Sequence, residues 1–577
     1  MTKRTFFLTY AWAERGRLAA LLALTLAATG AALASPQIVR RFLDQAQAGT
    51  EPGRLLWTAL AFMALALAAQ GLNLARTYLG ELVAWRATNK LREDLAAHCL
   101  ALDMDFHKTH KPGELMERLD NDVNETRAYF STLFTELVST GCLFVGVIVF
   151  LWLEDWRLGT SAMFVSVVVL AVFPRINKAR VPLIANVREV HAALSGDLQE
   201  WVQGREDIQA SGSTGVMLDR LEGRYGERYR VSLALLPVNT VSNVLPGVVL
   251  FSAYALAYTL SSGAFGGALS VSAFAMVLMY IAKLENPIYM IQESFMWAAT
   301  AQASLERIAD LLGQRPRLSP GRATLKPSGG LGVRLESVFF GYDDENVLHG
   351  VSLDIAPGQS LGLLGRTGSG KTTVARLIAR MYDPVRGRVV LSDGNTEASP
   401  AELDPACLRS MVAMVTQEVE LLNASVRDNI TLFNQEIPDD RIWEALRSVG
   451  MDGWVRGKPG CLAYKLNGIH GLSAGEAQLL ALARVFLSDP ALVVMDEASS
   501  RLDPATERAM RNAVSALLRG RSAVIIAHRL ETLRDVDTIA VLEEGRVIEF
   551  GRRVDLEERQ DSRYGALLRA GLEEALA

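Results

Sequence analysis

The run Gly365-Arg-Thr-Gly-Ser-Gly-Lys371-Thr372 holds the residue types needed to grip a polyphosphate. It matches the pattern G-x-x-x-x-G-K-[ST] in full. Its glycines let backbone N–H groups close around phosphate oxygens, at a helix start that already favours anions. The candidate nucleotide contacts are Gly365, Arg366, Thr367, Gly368, Ser369, Gly370, Lys371, Thr372 and Thr373. Lys371 is placed to reach the β- and γ-phosphates, and Thr372 to bind Mg²⁺. Chance produces such a match in about a few per cent of chains this long, so the motif needs company. Leu492-Val-Val-Met-Asp496-Glu497 supplies it. Four apolar residues read as a buried strand that ends in two carboxylates. Asp496 fits the Mg²⁺-holding role, and Glu497 fits a group that orients or deprotonates an attacking water. Ser522-Ala-Val-Ile-Ile-Ala-His528 is another apolar strand ending in a polar residue.

These residues need a scaffold. Ser360–Leu364 reads as a strand before the glycine loop, and Thr373–Arg380 as a helix after it. Three strands ending on one side of a parallel sheet would bring the polar residues together, where ligands of such sheets bind. From about residue 331 onward, short β-branched runs alternate with amphipathic stretches, the pattern of an α/β domain. Before it, Arg315–Gly330 holds three prolines and three glycines among polar residues and reads as a linker.

The first half of the chain is of another kind. Half of the 577 residues are hydrophobic and 21% are charged, and long charge-free runs occur only before Lys283. They are Leu18–Val39, Leu55–Ala75, Leu137–Leu153, Leu158–Pro174 and Val231–Ala282. A spanning helix needs about 20 apolar residues. The last run is too long for one span and is broken by the turn-rich Ser261–Gly267, so the count is six. Lipid offers the backbone no partners, so each span must be helical. A cleaved secretory signal is a rival reading of the first run, but that run is longer than a signal's apolar core, about 7–15 residues. The segments between spans two and three and between four and five are long and rich in Arg and Lys. Positive-inside bias therefore puts both termini in the cytosol. The expected location is the cytoplasmic (inner) membrane, with the C-terminal α/β domain on the cytosolic side. Arg40, Arg41 and Arg54 in the first external loop pull the other way and are outvoted. Both long segments read as helical extensions that turn at their tips, at Lys111-Pro112-Gly113 and near Gly204. Cys99, Cys142, Cys407 and Cys461 show no metal or disulfide spacing. The net charge of −5 gives no sign of nucleic acid.

Leu472-Ser-Ala-Gly-Glu-Ala-Gln478, just before the Asp-Glu strand, resembles the signature of ABC transporters, usually written LSGGQ. Gln417 matches the family's Q-loop, Ser500-Arg-Leu-Asp503 its D-loop and His528 its H-loop. Tyr342 matches the aromatic that stacks on adenine. Phe106–Val123 and Ser195–Ile208 resemble the two intracellular loops of the exporter-type fold, so the likeness runs over nearly the whole chain. It implies a multi-domain membrane protein: a six-helix all-α transmembrane domain (1–312), a linker (313–330) and an α/β ABC ATPase domain (331–577). It implies ATP and Mg²⁺ as cofactors, with Thr372, Asp496 and Gln417 around the metal and Glu497, His528 and Gln417 in catalytic roles. Ser473, Gly475 and Asp503 would act on the ATP held by a second chain, because each ATP in this family lies between two ATPase domains. Dimerisation is then obligatory.

Two departures bear on the partner. The signature has Ala474 and Glu476 where glycine and glutamine are usual, and Ala463–Gly471 lacks the acidic pattern common in exporters. The Glu476 change reads first as a tolerated variant on the helix that follows. Together the departures favour a heterodimer with a different half-transporter over a homodimer. The expected function is ATP-driven export of an apolar or amphipathic compound, such as a lipid, drug or hydrophobic peptide, since the spans carry almost no charge. Siderophore-type import on the same fold and a membrane-anchored sensory ATPase are the alternatives.

Overall fold

In a computed structural model of the chain, residues 6–262, 269–327, 329–342, 345–417, 419–468, 472–496, 504–527 and 530–570 are described. The chain divides into two compact units. One comprises Met1–Leu102 and His110–Arg315, the other Asp103–Thr109 and Pro316–Ala577.

The first unit is helical. Its long helices are α1 (Arg15–Gln47), α2 (Pro52–Ala101), α3 (Val138–Glu154), α4 (Trp156–Gln203), α5 (Thr214–Ser261), α6 (Val271–Lys283) and α7 (Glu285–Gly313). Among the described residues, six helical stretches are long and apolar enough to cross a membrane: Thr9–Gln47, Pro52–Ala101, Pro112–Glu154, Trp156–Gln203, Thr214–Thr259 and Val271–Met290. Each contains one of the six apolar runs. The break expected at Ser261–Gly267 separates the last two, although most of it lies outside the described residues. At about 1.5 Å per residue, the 50 residues of α2 reach far beyond a hydrocarbon core of about 30 Å. The surplus forms the polar extensions that the charge pattern called for.

Both extensions turn at their tips. Gly204 closes α4 and the short helix Arg205–Ala210 follows. In the other extension, Pro112 starts a helix in its first turn, as the sequence suggests. A second break precedes it: Leu102 takes an extended conformation and the helix Met104–Thr109 begins anew. Where the two apolar runs of α2 and the third span end, buried Arg76 lies 3.5 Å from Glu136. A charge at the edge of each run thus finds its opposite on the neighbouring helix. Farther along, Arg307 of α7 grips the fully buried carboxylate of Asp122 with two N–H groups, Nε at 2.9 Å from Oδ2.

The second unit is built on two sheets. β1 (Gly332–Tyr342), β2 (Glu345–Ile355), β4 (Arg386–Ser392) and β5 (Glu397–Ala398) form an antiparallel sheet in the order β2-β1-β4-β5. The larger sheet has the order β10-β9-β3-β8-β7-β6. Its strands are β3 (Ser360–Leu364), β6 (Val412–Val415), β7 (Leu492–Asp496), β8 (Ser522–Ile526), β9 (Thr538–Glu543) and β10 (Arg546–Arg552). All neighbours are parallel except β9 and β10. β3, β7 and β8 are buried along their whole length, which explains their continuous apolar runs. One apolar core packs the two sheets together around α8 (Lys371–Ile378). A second gathers α9 (Ala474–Ser488) with Val426–Thr431 and Asp439–Ser448. The Pro- and Gly-rich stretch before β1 is partly tied down here: Ala323 exchanges backbone hydrogen bonds of 2.8 Å with Glu402 and Asp404, and Leu325 is buried.

Candidate nucleotide site

The site forms where β3, β7, β8 and β6 end. Parallel register sets Leu363 beside Ile526, Ile526 beside Asp496, and Met495 beside Val415. The residues that follow each strand therefore emerge along one edge, as the rule for parallel sheets requires.

Between β3 and α8 the chain turns through Gly365, Gly368 and Gly370, whose φ angles are +149°, +83° and +99°. These lie in or near the region that only glycine enters freely. At Gly370 a side chain would also collide, since a Cβ there would sit 2.5 Å from Leu348 Cδ2. Gly370 is the N-cap of α8 and offers no side chain to its first N–H groups. Those donors stay open toward the loop.

Lys371 is buried, and its Nζ donates to the carbonyls of Gly365 (2.6 Å) and Arg366 (3.0 Å). Burial pushes its pKa below the ordinary lysine value, opposed by the negative charge of Asp496. The lysine is thus held inside its own loop by neutral acceptors, which a phosphate can outbid. Thr372 Oγ1 donates to Asp496 Oδ2 at 2.9 Å. Asp496 is buried, yet its Oδ1 accepts from no described residue, and buried Ser369 Oγ is likewise without a partner among them. Buried polar oxygens without a partner are costly, so these two atoms mark a place that suits a ligand. A hydroxyl and an unpaired carboxylate oxygen form the hard oxygen set that Mg²⁺ prefers. The donors present fit that ion.

Gln417 lies exposed two residues past β6, one strand over from Asp496. Tyr342 ends β1. Its hydroxyl accepts from Arg376 Nη1 (3.2 Å) and Thr373 Oγ1 (3.4 Å), and its ring meets Phe340 and Tyr382 edge to face. Lys108, in the Asp103–Thr109 segment of this unit, places Nζ 4.8 Å from the ring centroid. Arg376, Tyr382 and Lys108 were not foreseen. Arg376 follows Thr373 by one helical turn, which is the only sequence signal for it; the other two are brought in by the fold. Glu497, His528 and Asp503 lie outside the described residues.

Ser473 and Gly475 sit apart from the loop, at the start of α9. Ser473 is exposed and is the N-cap, and its Oγ accepts from Glu476 N at 3.2 Å. Glu476 reaches back, and its Oε2 accepts from Ser473 N at 2.7 Å. This reciprocal pair is a capping box. Glu476 thus bonds the signature serine itself, as the usual glutamine at this position also could. Behind it, Arg484 of α9 donates to the carbonyls of Asn429 (2.7 Å) and Glu420 (3.2 Å). It ties the signature helix to the stretch after Gln417. Burial lowers the pKa of that guanidinium. An arginine in the apolar run Leu480–Phe486 was the signal for this tie.

The first unit holds a separate apolar cavity of about 240 Å³, lined by Phe144, Leu151, Leu158, Leu250, Leu256 and Ile281.

Comparisons with known proteins agree with both halves. Residues 18–288 match the profile of the ABC transporter transmembrane region, and residues 348–500 match that of the ABC transporter. An ATP-dependent lipid A-core flippase of Chromobacterium violaceum is 28% identical over 92% of this chain and 91% of its own. The corresponding protein of Alkalilimnicola ehrlichii is 29% identical over 93% and 91%. An uncharacterized ABC transporter ATP-binding protein of Bacillus subtilis, YknV, is 29% identical over 81% and 77%. A solved bacterial Atm1-family ABC exporter with ATP bound shares the fold, with a TM-score of 0.80 at 24% identity over 96% of this chain and 98% of that one.

Proposed function

Because the chain belongs to the ABC transporter family, as an exporter-type half-transporter with an integral membrane unit and an ATPase unit, we propose that its cargo is lipid-like. It exports an apolar or amphipathic compound from the cytosolic side of the inner membrane, with both termini and the ATPase unit in the cytosol. ATP is held by the Gly365–Thr373 loop, and the site is completed by the signature of a second half-transporter, a different chain rather than a copy. The observation that carries the ATPase reading is the Thr372–Asp496 pair, whose Asp496 Oδ1 has no partner among the described residues, at the end of a parallel sheet and beside an uncapped helix.

The roles follow from chemistry. Backbone N–H groups of the loop and Lys371 hold the phosphates. Thr372 and Asp496 would hold Mg²⁺, with Gln417 on the next strand; such an ion would neutralise charge that builds on the phosphate oxygens. Glu497 takes up the proton of the attacking water, and His528 and the partner's ATP-facing groups position it. Tyr342 supports the adenine, fixed in place by Arg376 and Thr373. Positioning and charge stabilisation do most of the work in phosphoryl transfer.

The lipid-like cargo is supported by the flippase relatives, the almost uncharged spans and the apolar cavity among their helices. The altered signature and the divergent stretch before it support a heterodimer. The test is reconstitution of the assembled transporter in liposomes with a fluorescent phospholipid analogue. Movement of the analogue to the leaflet opposite the ATPase unit, only with Mg²⁺ and ATP, is the expected result. Movement toward the ATPase unit would establish import instead. Full ATPase activity from a homodimer of this chain would remove the heterodimer.

A further inference from the structure

The capping box at the start of α9 has a feature that a simple helix start lacks. Helices leave their first N–H groups without intrahelical acceptors, and these concentrate positive potential. In α9 the N–H of Glu476 is taken by Ser473 Oγ, and the N–H of Ser473 is taken by the Glu476 carboxylate at 2.7 Å. The donors left for an incoming phosphate are those of Ala474 and Gly475, plus the Ser473 hydroxyl. They lie beside a carboxylate that already occupies the positive end of the helix. A γ-phosphate brought to Ser473 would come within about 5–6 Å of that carboxylate, two hydrogen-bond lengths away.

We propose that Glu476 is a specificity-determining residue of the composite ATP site, setting the ATP concentration at which that site closes. Its negative charge opposes the γ-phosphate of the ATP held by the partner chain, so the site built on this signature fills at higher ATP than one built on a neutral signature. This rests on the reading that the signature meets the partner's nucleotide. Like charges at about 6 Å in a half-exposed setting repel enough to shift binding by about 3- to 10-fold.

The chemistry offers a clean test. Glutamine at the third helical position reaches back to the N-cap as glutamate does, so Glu476→Gln keeps the capping box and removes only the charge. Glu476→Ala removes both. ATPase rates of the assembled transporter in liposomes are measured against MgATP, at about 0.05 M and about 0.5 M salt, because exposed charges are screened over about 10 Å at 0.1 M. Glu476→Gln is expected to lower KM for ATP by about 3- to 10-fold with little change in kcat, and the gap to wild type narrows at high salt. Glu476→Ala is expected to lower the melting temperature, which Glu476→Gln leaves in place. An unchanged KM in Glu476→Gln, or a shift that ignores salt, overturns the proposal. Ser473→Asp separates this from failure of the underlying reading. Aspartate also caps helices well, so that variant folds while adding a second charge at the phosphate contact. It is expected to raise KM by more than about tenfold. If Ser473→Asp acts and Glu476→Gln does not, only the role of Glu476 fails. If neither changes KM or kcat, the signature does not meet ATP at all.

Discussion

The phosphate loop and the signature are both glycine-bearing turns that open a helix, yet they meet an anion in opposite states. α8 starts from Gly370, which has a positive φ and gives the helix no side-chain cap. α9 starts from Ser473, inside a complete capping box. The first helix start is left open, beside two buried atoms, Ser369 Oγ and Asp496 Oδ1, that have no partner among the described residues. Phosphate and metal are the partners proposed for them. In the second, two donors, the N–H groups of Ser473 and Glu476, are already taken by the chain's own side chains, at a gain of about 0.5–2 kcal/mol for the cap. An open helix start offers an anion all of its first donors; a capped one offers fewer, so it holds an anion less tightly by itself. That asymmetry fits the proposal that the loop holds the nucleotide and the signature completes the site.

The largest expected effect lies in the open half. Asp496→Asn removes the charge proposed to hold the metal, and Glu497→Gln removes the proposed base. Each is expected to lower kcat by about 10²–10⁴, and Glu497→Gln should still bind ATP, as read by nucleotide-induced protection from thermal unfolding. Unchanged turnover in either would break the comparison at its root. Next is Gly370→Ala. A non-glycine residue at φ +99° costs about 1–3 kcal/mol, and its Cβ meets Leu348. A fall of at least about tenfold in kcat/KM is expected, while the corresponding change at exposed Ala474, to glycine, should be mild.

Arg484→Ala probes the closed half. It removes charged hydrogen bonds to Asn429 and Glu420 and is expected to cost about 2–3 kcal/mol, seen as a lower melting temperature. Full stability in that variant would mean that the signature helix is held by packing alone. The smallest effect is one of pH. The folded pKa of Lys371 is lowered, so between that value and the ordinary one near 10.4 the unfolded chain binds more protons than the folded one. Its stability penalty therefore shrinks as pH rises through this window. Its hold on phosphate moves the other way. Nucleotide affinity is expected to weaken at alkaline pH, before an ordinary lysine would titrate, and a flat affinity profile up to that range would contradict the assigned contact.

Much of the open half was legible because its residues are contiguous. Glycine spacing, Lys371 and Thr372 announce the loop, and an unbroken apolar strand announces Asp496. The six spans were legible for a similar reason: lipid demands long apolar runs. Contacts that join distant segments were not. Nothing near Leu102 marks its break in the helix, because neither glycine nor proline stands there, and the tip was placed only at Pro112. The Arg307–Asp122 pair joins residues far apart in the sequence, each of which looks like an ordinary surface charge. Glu476 is the instructive middle case. Its place in the signature drew notice, but only the geometry gave it a bonding partner.

The most direct test of the account is ATP-driven lipid movement by the assembled transporter in liposomes, with wild type and Glu497→Gln side by side. The account predicts fast, Mg²⁺-dependent movement in wild type and almost none in Glu497→Gln, with ATP still bound. Equal movement in both, or movement without ATP, would contradict it.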